Sequence, residues 1–111
     1  MPSAEAPAAA FGGVRPAQAA PASEDEARTL ARAEALIRQG DIKGARLVLE
    51  RATGAGGAHA WFALAETYDP RMLSSWRTFG IRGEPEKARE LYGRAYAAGM
   101  IEAKERGETL K

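Results

Sequence analysis

The sequence has no cysteine and a single histidine, His59. Disulfides, thiol catalysis, zinc fingers and iron–sulfur ligation are thereby excluded, while a cysteine-free chain suits any redox compartment. Neither sign of charge is in excess: 16 Lys and Arg face 15 Asp and Glu, a net charge of +1. That balance gives no support to wholesale attraction toward nucleic acid or an anionic membrane. No apolar run approaches the ~18 residues of a transmembrane helix. Residues 1–10 lack the basic start and Leu-rich core of a secretory signal. Period-two alternation is missing as well, so no sheet is expected. What is present is ordinary globular content, 45% hydrophobic and 28% charged over 111 residues, which fits one domain at most.

Catalytic groupings are also scarce. His59 sits on an expected helix beside Trp61 with no acid at a motif spacing, so neither a nucleophile–base pair nor a metal site is read there. Glu84/Glu86 and Glu102/Glu105 read as helix-start charge and a solvated face. Gly54, Gly56 and Gly57 follow a helix, where a phosphate loop would follow a strand. The chain is therefore expected to be no enzyme, to need no cofactor or metal, and to take no small-molecule substrate.

Along the chain, residues 1–22 carry Pro2, Pro7, Pro16 and Pro21 among alanines and read as a disordered linker. Such a tether suggests a piece of a longer protein. Residues 23–111 read as an all-α domain. Ser23-Glu24-Asp25-Glu26 is a capping box, and Leu30, Ala33, Leu36 and Ile37 recur at helical spacing up to Gly40. Asp41 caps a second helix carrying Ala45, Val48, Leu49 and Ala52, too closely joined to be anything but antiparallel to the first. These make a first pair over 23–56. A third helix over 58–68 stops at Asp69-Pro70, and a fourth starts at Gly83-Glu84-Pro85, giving a second pair over 57–99. Residues 100–111 read as a short closing helix.

At an offset of 43, Gly40, Ala45, Arg46, Arg51, Ala52, Gly56 and Ala60 fall on Gly83, Ala88, Arg89, Arg94, Ala95, Gly99 and Ala103. The alanines mark close approach of helices, and the glycines mark helix ends. Leu64-Ala65-x-x-Tyr68 with Trp61 before it, Ala45-Leu49-Ala52 and Ala88-Tyr92-Ala95 together resemble tetratricopeptide repeats, in particular the longer Sel-one-like repeats. The resemblance runs over about 24–107. It departs at Thr29 and Arg32, where the family has Trp and Leu, and at Gly56 and Gly99, where a Pro would close the unit. It implies hairpins stacked as a short α-solenoid with a closing C-terminal helix. It further implies a scaffold or adaptor module of a larger bacterial protein, in the cytoplasm or periplasm, that binds a protein or peptide or associates with itself.

Leu36 precedes Ala45 by 9 residues and Tyr68 precedes Ala88 by 20, so the second pair carries 11 more. This 70–82 insertion is expected to fold back between helices three and four with Leu73 and Ile81 inward, and with Trp76 either filling the gap or anchoring a partner. Arg71, Arg77 and Arg82 with Trp76 and Phe79 make it the most basic and aromatic stretch, which leaves binding of single-stranded nucleic acid as a weaker alternative. On the third helix, Trp61, Leu64, Ala65 and Tyr68 form a core stripe, and His59, Phe62 and Glu66 form a second face expected to line a groove. Glu34 and Arg38 occupy positions used by the resembled family for ligand contact. The expected partner-binding residues are thus His59, Phe62, Glu66, Glu34 and Arg38, with Trp76 and Arg77 from the insertion.

Overall fold

Helix starts follow side-chain caps already visible in the sequence, and they build an all-helical chain. The computed structural model describes residues 22–55 and 57–110, and among them it has six helices and no strand. The linker read over 1–22 lies outside the described residues apart from Ala22.

Ser23, extended at φ −64 and ψ 167, accepts from the Glu26 amide and starts α1 (Glu24–Arg38). The returning half of the expected capping box is replaced by a longer reach. The Glu26 carboxylate accepts from the Ala60 amide, 34 residues on. It thereby serves the N-terminus of α3 (Ala58–Tyr68), whose own cap residue, Gly57, has no side chain to offer. A Cβ on Gly57 would collide with that carboxylate. Between them, Gly40 turns at φ +84, a conformation other residues rarely adopt, and Asp41 accepts from the Gly44 amide to open α2 (Ile42–Thr53).

The insertion contains an element that periodicity missed. Asp69 ends α3 and at the same time caps α4 (Pro70–Ser75), accepting from the Arg71 amide, with Pro70 at the first helical position. Leu73 of α4 is buried, as expected, whereas Ile81 is only half-buried and Phe79 is 90% exposed. The fold-back therefore rests on one inward residue, Leu73. Gly83 approaches Pro70 so closely that a Cβ there would lie 2.8 Å from its ring. Pro85 opens α5 (Pro85–Ala97), Gly99 turns at φ +113, and α6 (Glu102–Glu108) follows.

Neighbouring helices pack in chain order: α1 on α2, α2 on α3, α3 on α5 and α5 on α6, with α4 against α3 and α1 also touching α3. The small positions carry this packing. Ala33, Ala45, Ala65, Ala88, Ala95 and Ala103 are buried, with Leu49, Leu64 and Tyr92 between them. The two matched arginines make equivalent bonds. Arg46 donates to the Thr67 carbonyl and Arg89 to the Leu110 carbonyl, each 21 residues downstream, satisfying a helix-end acceptor in both halves. Arg46 also lies 3.8 Å over the Tyr68 ring. No helix among the described residues is long and apolar enough to cross a membrane.

Candidate functional site

The turn after α2 brings α3 alongside α1, and the insertion brings α4 over the other flank. Between them runs a groove of about 540 Å³. Its floor is His59, Phe62, Ala63 and Glu66 of α3; one wall is Leu30, Ala33, Glu34, Ile37 and Arg38 of α1; Met72 and Trp76 of α4, with Met100, close the other. The spacing explains the wall: residues 30, 34 and 37 or 38 recur on one face of α1.

Six of the seven expected residues, Glu34, Arg38, His59, Phe62, Glu66 and Trp76, therefore line one groove. Arg77 does not. It falls past the end of α4 in a left-handed conformation at φ +57 and is exposed, because the chain must reverse there. Phe62 has a double role. It is half-buried, packs against the core, and meets the Tyr92 ring edge-on with centroids 5.4 Å apart. Trp61, placed in the core stripe by its spacing, is only half-buried, with the Arg94 guanidinium 5.1 Å from its ring. Leu64, Ala65 and Tyr68 of the same stripe are buried. Leu30, Ile37, Met72 and Met100 are lining residues not foreseen as such; in sequence they are ordinary core-facing apolar positions.

Behind the floor lies a polar network that sequence reasoning also missed. Asp69 is fully buried and accepts from the Tyr92 hydroxyl at 2.7 Å and from Arg71 Nη2 at 3.0 Å and Nε at 3.1 Å. Arg71 continues to the Thr109 hydroxyl and the Arg106 carbonyl. Arg106 donates to Glu66 at 3.0 Å and sits 5.0 Å over the Phe62 ring. The floor is thus fixed from below by α5, α6 and the start of α4.

The two carboxylates of this network titrate in opposite directions. Burial would raise Asp69, but the bonds from Arg71, Tyr92 and the Arg71 amide hold it below the usual carboxylate range. Burial raises Glu66, and its Arg106 bond does not fully offset that, with Asp69 and Glu34 adding repulsion. A folded-state value above the unfolded one means that ionised Glu66 does not favour folding: its contribution is largest at acid pH and lost as pH rises through the folded value. Glu66→Gln should therefore leave neutral-pH stability within about 1 kcal/mol of the parent, as urea denaturation would measure. A loss well above that would show the ion pair to be a net support.

Among the described residues no group of three or more acidic or histidine side chains is arranged to hold a metal. Compared with protein-family models, curated proteins and solved structures, the chain finds no match in any of the three.

Proposed function

We propose that the chain is a non-catalytic interaction module, a short solenoid of antiparallel helical pairs closed by α6, that holds a peptide segment of a protein partner in the groove across α1, α3 and α4. The observation that carries this reading is the convergence of Glu34, Arg38, His59, Phe62, Glu66 and Trp76 from three helices onto one apolar-floored trough. Support for the repeated architecture comes from the matched arginine bonds of Arg46 and Arg89. The resemblance to Sel-one-like repeats points the same way, toward a scaffold or adaptor within a larger bacterial protein. Nucleic-acid binding through 71–82 is the weaker reading, because Arg71 is already engaged by Asp69, Thr109 and Arg106.

A displayed random-peptide library panned on the whole chain tests the proposal. Binders should lose about 2 kcal/mol, near thirtyfold, on Trp76→Ala. Phe62→Leu should weaken them as well; Leu is preferred to Ala there because Phe62 also supports Tyr92. Circular dichroism should show both variants folded. Binders indifferent to both changes would place the contact elsewhere.

A second reading, docking of another folded unit or self-association, has its own observation. Val48 and Ala52 line an open trough between α1 and α2, whereas Leu91 and Ala95, their counterparts at the 43-residue offset, are buried. Sedimentation over a concentration series separates it from the first.

A further inference from the structure

Two carboxylates in water would attract any cation, but here they stand beside a trough whose remaining lining is mostly apolar. Glu34 comes from the α1 wall and Glu66 from the α3 floor, and each repels the charge of the other. Arg106 offsets only one of them: it lies outside the lining, beneath the floor, bonded to Glu66 and stacked on Phe62. Arg38, the remaining cation of the lining, stands exposed on the last turn of α1. An acidic ligand segment would thus meet two carboxylates at the centre of the groove, and a neutral one would leave their repulsion unrelieved. A Lys or Arg side chain would relieve it. Its aliphatic stem suits the surface offered by Phe62, Met72 and Trp76. Arg106 already displays this chemistry from below, with a guanidinium held by the Glu66 carboxylate and the Phe62 ring.

We infer that the segment held by the groove is basic and apolar, a Lys or Arg flanked by aliphatic residues, with the cation seated between Glu34 and Glu66. This rests on the peptide-groove reading above and adds the ligand's charge to it.

The probes are three fluorescein-labelled decapeptides that share two leucines and differ only in carrying Lys, Gln or Glu between and beside them. Anisotropy is read against the intact chain at low salt. The Lys peptide should bind at least about fivefold more tightly than the Gln peptide, the ratio expected of one modest ion pair. Glu34→Gln should remove most of that margin while leaving the Gln peptide unaffected. Glu34→Lys should invert the order, so that the Glu peptide binds best. Glu34 is exposed on α1, so neither change threatens the fold. Equal or weaker binding of the Lys peptide, with all three still sensitive to Trp76→Ala, overturns the basic-ligand inference and leaves the groove reading standing. Failure of all three peptides to bind overturns both.

Discussion

Asp69→Ala should cost about 2–4 kcal/mol, enough to unfold a large fraction of a marginally stable small domain. Three losses combine. The Tyr92 hydroxyl, in a fully buried residue, loses its carboxylate acceptor, and an orphaned buried donor costs roughly 1–3 kcal/mol. The cap of α4 goes with it, worth about 1 kcal/mol. Arg71, by contrast, is half exposed and can turn to water, so its broken pair adds little. Tyr92→Phe should cost only about 1 kcal/mol, because Asp69 keeps its Arg71 bonds. In the double variant the two costs should fall short of additive, the sign of direct coupling. The same network sets the pH limits of stability. Asp69 has a lowered folded-state value, so its contribution is complete above ~4 and lost as pH falls through that value. Burial and the Asp69 bond push the Tyr92 phenol well above its ordinary ~10, so its contribution is present below that and lost only in strong alkali. Denaturation midpoints across pH would show the acid edge moving upward in Asp69→Asn. An unshifted edge would remove Asp69 from that role.

Ala65→Leu or Ala88→Leu should each cost roughly 1–3 kcal/mol through overpacking. Both alanines are fully buried, on α3 and α5, the pair of helices with the most extensive contact. A branched side chain at either site must separate those helices or force neighbours from their rotamers. Ala63→Leu, a half-buried groove position on the same helix, is the control and should cost less. Thermal unfolding of the three variants ranks them. Tolerance of Leu at 65 and 88 would mean that α3 and α5 have slack between them.

Much of the helical plan was legible because its signals are local. Ser23, Asp41 and Pro85 act within three residues of themselves, and the apolar stripes need only the helix period. The groove was partly legible for the same reason: Glu34 and Arg38 share a face of α1, and His59, Phe62 and Glu66 share a face of α3. What escaped is what depends on distant partners. Asp69 before Pro70 reads as a helix stop, and the stop is real; α4 escaped because the same residue also begins it. Its burial depends on Tyr92, 23 residues away, and on Arg71 being steered by Thr109 and the Arg106 carbonyl. No spacing rule connects those positions. Arg77 was misplaced for a related reason: a basic residue beside Trp76 looks like a contact residue until the backbone turns left-handed beneath it. Glu26 was read as serving its own helix, and its carboxylate serves another.

That last bond bears on how the molecule loses order. Helices arrayed so that each touches only its neighbours can fray from one end while the rest persists, unless something couples the units. Glu26 reaches 34 residues forward to Ala60, Arg71 38 residues to Thr109, and Arg106 40 residues back to Glu66. When α1 peels away, α3 loses the carboxylate at its N-terminus in the same step, and the groove loses a wall. A partner that clamps α1 against α3 would, by the same linkage, hold the terminal helix in place, so binding and resistance to end-fraying should rise together.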